Sequence, residues 1–242
     1  MIPHLVADKG NSRIKLALFR GDSLIRKHSF TIEEWSAFDP ADWVGDKPFH
    51  LILSSVREAQ PVLPEWMHPD GQAYILNRSL KLPFEIDYHT PETLGADRLA
   101  NAAGAMRLGS SALIIDCGTC LTYTTLENNT LTGGAIPPGL RMRFKALHTF
   151  TGNLPLIDVT DSVVHFPGKS TSESILAGVI EGAHAEADHF IRIFSSKNAD
   201  GRVILTGGDA PVLATLLKCP IFADPDHTLT GLHEILKFNL EA

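Results

Sequence analysis

Apolar residues in the first part of the chain fall in short runs separated by small polar turns, a pattern of strands rather than helices. A first strand is expected near residues 3–8. The chain turns at Gly10-Asn11-Ser12 and resumes as Ile14-Lys15-Leu16-Ala17-Leu18-Phe19, and Gly21-Asp22 predicts a hairpin into a third strand, Leu24 to Phe30. Thr31-Ile32-Glu33-Glu34-Trp35 has the form of a capping box opening a short helix. Leu51-Ile52-Leu53-Ser54-Ser55-Val56 is a run suited to a buried parallel strand, and Tyr74-Ile75-Leu76 adds another. From Thr93 to Leu108 the period becomes helical, with Leu94, Arg98-Leu99, Ala102-Ala103 and Met106 on one side and Gly109 as the stop.

The pattern then begins again. Residues 112–116 are strand-like, a second hairpin follows, and Gly133-Gly134-Ala135-Ile136-Pro137-Pro138-Gly139 reads as a loop. Ser172 to Ser196 is the longest expected helix, with Ile175, Val179, Ile180, Ala183, Ala187 and Phe194 on its apolar side. Val203 to Thr206 predicts a buried strand entering Gly207-Gly208-Asp209. Helices are expected over Pro211 to Leu217 and Leu232 to Phe238.

The restart is a repeat. Asp8-Lys9-Gly10-Asn11-Ser12-Arg13-Ile14-Lys15 is answered by Asp116-Cys117-Gly118-Thr119-Cys120-Leu121-Thr122. Each copy follows a short apolar run, and each is followed by a β-prone run ending in a turn signal, Gly21-Asp22 or Asn128-Asn129. Two similar α/β domains are therefore expected, 1–111 and 112–242, with the crossover near residues 109–112.

Composition narrows the partners. The chain has 242 residues, 44% of them hydrophobic and 20% charged, with a net charge of −7, which fits a soluble globular protein and not a nucleic-acid footprint. Arg141, Arg143 and Lys145 form a local basic cluster, read as a loop. No run approaches the about 18 apolar residues of a membrane-spanning helix, and no secretory signal is evident, so no membrane partner is expected. Three cysteines without disulfide spacing point to a reducing cytoplasm.

An acidic-glycine turn lets backbone N–H groups face a phosphate at close range. Asn11 and Ser12 add polar groups, Lys15 follows Arg13 on one strand face and can reach phosphate oxygens, and Asp8 can hold Mg²⁺ through water. One such turn would be an ordinary hairpin; two copies imply a phosphate clamp. Asp97-Arg98, taken alone, could be an exposed charge pair in a first helical turn, where the helix dipole favours an acid. Cys117-x-x-Cys120 has redox spacing but straddles a hairpin turn, so small residues filling a tight turn are expected. The histidines lack ligand spacing and are expected on the surface. Gly178 and Gly182, with Ala177 and Ala183, make a smooth helix face, either packed within the subunit or forming a dimer seam.

The two turns and Leu205-Thr206-Gly207-Gly208-Asp209 together resemble the actin-like ATPase superfamily. Within it, Thr90-Pro91-Glu92-Thr93-Leu94-Gly95-Ala96-Asp97-Arg98-Leu99-Ala100-Asn101 resembles the signature of type III pantothenate kinases. The first turn is similar to that family's Asp-x-Gly-Asn-Thr-x-x-Lys, with Ser12 for threonine. Asp116-Cys117-Gly118-Thr119 is similar to its Asp-x-Gly-Thr, and residues 133–139 to its Gly-Gly-x-Ile-x-Pro-Gly. The resemblance implies two ribonuclease H-like domains with mixed sheets flanked by helices and a nucleotide cleft between them. It implies ATP-dependent phosphorylation of pantothenate, the first step of coenzyme A biosynthesis. By it Asp97 is the general base; Tyr88, Gly95, Ala96, Asp97, Arg98 and Thr171, the last from a neighbouring subunit, bind pantothenate. Asp8, Lys9, Gly10, Asn11, Ser12, Arg13, Ile14, Lys15 and Thr119 bind ATP. Asp116 holds potassium or ammonium, Mg²⁺ accompanies ATP, and the enzyme is a cytoplasmic homodimer. Lys9 stands where the family usually has a buried aliphatic residue, and Cys120 where it has alanine. Another small-molecule kinase of the superfamily would lack residues 95–101; a non-catalytic regulator on this scaffold would have lost Asp97 or a phosphate turn.

Overall fold

In the computed structural model, residues 2–56, 61–77, 80–159 and 165–241 are described. The chain opens with strands β1 (His4–Lys9), β2 (Ile14–Arg20) and β3 (Ser23–Phe30), then short helices α1 (Ile32–Ser36) and α2 (Ala41–Val44). Strands β4 (His50–Ser55), β5 (Ala73–Ile75) and β6 (Glu85–Ile86) lead through a 3-10 turn, Pro91–Thr93, into α3 (Ala96–Ala105). The second pass runs through β7 (Ala112–Cys117), β8 (Leu121–Glu127), β9 (Thr130–Ala135), α4 (Leu140–Phe150) and α5 (Thr171–Lys197). It closes with β10 (Arg202–Thr206), α6 (Ala210–Ala214), β11 (Phe222–Ala223) and α7 (His227–Leu240).

The repeat in the sequence is a repeat in the sheets. One sheet has the order β3-β2-β1-β4-β5, with the two hairpin pairs antiparallel and β1/β4 and β4/β5 parallel. The other contains β9-β8-β7-β10-β11 with the same senses. The hairpin turns follow from their residues: Asn128 and Asn129 sit at φ 50° and 62°, as a two-residue turn matched to strand twist requires.

The residues gather into two compact units, 1–107 with 226–242, and 108–225. The division thus falls at 107/108 rather than 111/112, and α7 belongs with the first unit. In that unit, alternate strand positions face opposite sides. Leu5, Ala7, Leu16, Leu18, Leu51 and Leu53 pack on Phe30, Trp35, Phe38 and Phe49. Trp35 lies on α1, which starts as the capping box predicts, with Thr31 and Glu34 bonded reciprocally. The opposite face takes α7, whose His233 stacks on Phe19 with centroids 4.1 Å apart. α7 also presses onto α3, where a Cβ on Gly231 would overlap the Ala100 carbonyl. In the second unit, Ile175, Val179, Ile180, Ala183 and Phe194 of α5 share one core with Leu113, Ile115, Leu121, Tyr123 and Leu205 of the strands.

Two expectations fail here. Arg141, Arg143 and Lys145 lie on helix α4, not in a loop; this helix buries only Leu140 and Phe144, too narrow a stripe to show through its charged residues. Gly133 and Gly134 belong to strand β9, not to the loop that follows it. Among the described residues, no helix is long and apolar enough to cross a membrane.

Candidate active site

The first turn places its acid deliberately. β1 pairs with β2 so that Asp8 lies opposite Lys15, and with β4 so that Asp8 lies beside Ser54. Asp8 is 8% exposed, and the Ser54 hydroxyl donates to its Oδ1 at 2.7 Å. Burial raises the Asp8 pKa; the Ser54 bond and the Lys15 ammonium oppose that rise, and the Asp97 carboxylate adds to it. Asp8 and Asp97 are thus near enough to repel. Asn11, Ser12 and Arg13 form the exposed rim of the turn, Ile14 is buried beneath it, and Lys9 and Gly10 are half-buried. Arg13 is committed to β3: its Nε and Nη2 donate to the Ser29 hydroxyl and carbonyl, both at 2.8 Å. Lys15 is therefore the cation of this turn that stands beside the carboxylate.

Asp97 occupies the first turn of α3, after the N-cap Gly95. Its Oδ1 accepts from the Arg98 N–H at 2.9 Å, so the carboxylate folds over the helix N-terminus. A Cβ on Gly95 would overlap this oxygen, which accounts for the glycine. Burial raises the Asp97 pKa, against the Arg98 N–H bond, the Arg98 charge and a bond from its own N–H. Arg98 is 3% exposed, with its guanidinium carbon 5.6 Å from the Tyr88 ring centroid. The segment between is pinned by Thr93, whose hydroxyl donates to the Thr90 carbonyl at 2.8 Å. Gly95, Ala96, Asp97, Arg98, Tyr88 and the Asp8 turn all lie in the first unit.

Asp116, Thr119 and Thr171 lie in the second unit. Asp116 lies half-buried near the end of β7, between Thr122 of β8 and Thr206 of β10. Gly207 follows Thr206 at φ +94°, and a Cβ there would stand 2.5 Å from Asp116 Oδ1 and the Cys117 nitrogen, so only glycine fits. The Gly118 N–H closes the turn onto the Cys120 carbonyl at 3.1 Å, and Gly139 N–H reaches the Thr119 carbonyl at 3.1 Å. Thr119 itself is exposed, as is Thr171 at the start of α5. Arg141 Nη2 meets Asp209 Oδ1 at 3.3 Å, and Arg143 Nε donates to the Pro138 carbonyl at 2.8 Å. Arg143 also bridges Glu186 at 2.9 Å, which accepts from the Tyr123 hydroxyl at 3.2 Å. These arginines fasten the Gly-Pro segment and the Gly207-Asp209 element to α4 and α5.

Cys117, Cys120 and Cys219 are free thiols. Cys117 is buried, and burial with the neighbouring Asp116 and Asp209 charges pushes its thiol well above the ordinary range, the reverse of a reactive cysteine. Ser54 was not singled out by sequence reasoning, and Arg143 only as one charge of a basic cluster; for Ser54 the signal is a hydroxyl residue closing an apolar strand. The histidines also depart from expectation. His227 and His233 are 1% exposed: His233 Nε2 lies 3.0 Å from His4 Nδ1, and His227 Nε2 lies 3.0 Å from the Asn101 carbonyl. Gly178 and Gly182 are exposed, and among the described residues nothing stands within 4 Å of where a Cβ would point.

Comparison with known proteins identifies the family. A family model described as type III pantothenate kinase matches residues 4–193. Type III pantothenate kinases of Christiangramia forsetii and Phocaeicola vulgatus are 40% and 42% identical to the chain, each over 98% of it and 98% of their own length. Among solved structures, a putative Baf family transcriptional activator from Campylobacter jejuni superposes with a TM-score of 0.67 at 22% identity, covering 98% of this chain and 100% of its own. A putative 2-dehydro-3-deoxygalactonokinase from Sinorhizobium meliloti does so at 0.62 and 15%, covering 97% and 98%. These two share the fold, mixed sheets flanked by helices. With a matching family model over most of its length and relatives alike from end to end, the chain belongs to the type III pantothenate kinase family.

Proposed function

We propose that this protein transfers the γ-phosphoryl group of ATP to the primary hydroxyl of pantothenate, giving 4′-phosphopantothenate at the first step of coenzyme A biosynthesis. The observation that carries this reading is that the acid-bearing start of α3, Asp97-Arg98, and the acidic first turn at Asp8 belong to one compact unit, where the Asp97 charge adds to the rise of the Asp8 pKa. Phosphoryl transfer asks mainly for positioning and charge neutralisation, with little covalent work from the protein. Asp97 orients the hydroxyl and accepts its proton late, and its raised pKa improves it as an acceptor. Arg98 and the Gly95-Ala96 backbone bind pantothenate against Tyr88. Lys15, the Gly10–Arg13 turn and Thr119 bind ATP.

Two mutually repelling carboxylates with an all-oxygen donor set suit a hard divalent cation. Asp8 would hold Mg²⁺, directly or through water, and the ion would neutralise phosphate charge. Asp116, half-buried between two threonines, would hold potassium or ammonium. Exposed Thr171 and the open Gly178-Gly182 stripe on α5 fit a homodimer in which Thr171 serves the neighbouring subunit's pantothenate. The reading places the enzyme in the cytoplasm. The test is ADP release by the purified protein with Mg²⁺ and potassium or ammonium. ADP release should require pantothenate; a rate indifferent to pantothenate would remove the kinase assignment.

A further inference from the structure

The family match ends at residue 193, yet α7, residues 227–240, is packed along the helix that carries Asp97 and Arg98. Beside Arg98, Leu99 and Asn101, the buried residues of α3 are small: Ala100, Ala102, Ala103, Gly104 and Ala105 offer only shallow ridges to a partner's grooves. They allow close approach, and polar groups add a directional constraint on axial position. The Thr228 hydroxyl donates to Asn101 Oδ1 at 2.9 Å, and His227 Nε2–H donates to the Asn101 carbonyl at 3.0 Å. All three residues are buried: Asn101 is 0% exposed, His227 1% and Thr228 7%. Asn101 is one turn below Asp97 on the same face of α3. One further turn down, a Cβ on Gly104 would come within 3.0 Å of His227, and Gly231 meets the Ala100 carbonyl on the next turn of α7.

We propose that Asn101, His227 and Thr228 are positioning residues for the phosphoryl acceptor: through them the C-terminal helix fixes α3 along its axis and so sets where the Asp97 carboxylate and the Arg98 guanidinium stand. The proposal rests on the reading of Asp97 as base. Buried, satisfied polar bonds hold one arrangement strongly because their loss leaves unpaired groups in a dry place. A displacement of about 1 Å at a reacting group can cost on the order of 10²-fold in rate, so a slip that leaves the protein folded still shows in turnover.

The experiment uses the full chain. Thr228→Val keeps the shape and removes the donor, while Thr228→Ser restores it. The valine variant should lose about 10-fold in kcat with the KM for ATP unchanged, since the Asp8 turn is not touched. Its acid limb of kcat against pH should move to lower pH as water reaches Asp97, and the serine variant should recover the wild-type rate and profile. Val44→Ala, in the core on the other face of the sheet, provides a variant of matched thermal stability that should keep its kcat. A Thr228→Val enzyme that melts earlier but retains kcat and pH profile would overturn the proposal, leaving the clamp purely structural. Should that variant not fold, His227→Gln is read by the same criteria. A normal rate for Asp97→Asn, by contrast, would sink the base assignment alone, and a kcat deficit in Thr228→Val with unchanged KM for ATP would still stand for register.

Discussion

At the scale of single residues, the site rests on two carboxylates whose environments raise their pKa values. Burial is the main cause for both, and their mutual repulsion adds to it at Asp8. A base must be ionised to work, so kcat should fall as pH drops through the Asp97 pKa, and that acid limb should lie above the ordinary carboxylate value near 3.8. Asp97→Asn removes the proton acceptor without changing shape and should lower kcat by about 10²–10⁴-fold while pantothenate still binds. Titration calorimetry and steady-state rates check both halves, and near-normal turnover would exclude Asp97 as base. Asp97, Arg98 and Asp8 stand out in the sequence as candidates because each sits in an unusual local pattern. Ser54 is not, since its partnership with Asp8 is made by the parallel register of β4 on β1, a pairing between distant segments. Arg13 was legible only as a charge; its attachment to Ser29 depends on where β3 lies.

At the scale of elements, strands were easier to see than the helices that cover them. The hairpin strands announce themselves by apolar runs and Gly-Asp or Asn-Asn turns, but α4 hides its two buried residues among arginines and lysine. α7 begins at His227, before the expected Leu232, because its first residues are polar groups buried in hydrogen bonds and carry no apolar period. α3 is shorter than its pattern suggested, since Pro91–Thr93 forms a separate 3-10 turn before it. The same buried polarity gives α7 an acid sensitivity. His4 of β1 and His233 of α7 share one hydrogen bond, with Phe19 stacked on His233 and His50 beside His4. Burial is the main cause that holds both pKa values down; the His50 and Lys237 charges lower His4 further, to about 4, and the His4 and Lys237 charges lower His233 to about 3. Asp22 pulls the His233 value upward and Arg107 pushes it down, both more weakly. A histidine with a depressed folded pKa contributes stability in full above its unfolded value near 6.5, and that contribution is lost as pH falls from there toward 4. Denaturant midpoints should therefore drop over that window, with each such histidine contributing up to about 1.4 kcal/mol per pH unit. His233→Phe, which keeps the stack on Phe19 and removes the titration, should flatten this acid slope; an unchanged slope would show that other groups set it.

At the scale of the whole molecule, the internal repeat was the strongest signal, because each copy restates the same strand order, senses and turn chemistry. The boundary was less legible. Nothing in the local pattern of α7 says that the last helix returns to the first unit, where Gly231 and Thr228 match α3. In the proposed reading the repeat supplies the phosphate-binding scaffold, and the unrepeated Asp97-Arg98 helix start, with Tyr88 against Arg98, supplies the acceptor site. A scaffold that only hydrolysed ATP would need the turns and no acceptor base. The two possibilities separate on the product. Phosphorus NMR of the full chain with ATP, Mg²⁺, potassium and pantothenate should show a new phosphate monoester accumulating mole for mole with ADP, and no inorganic phosphate. ADP accompanied by inorganic phosphate, with no monoester, would contradict the account.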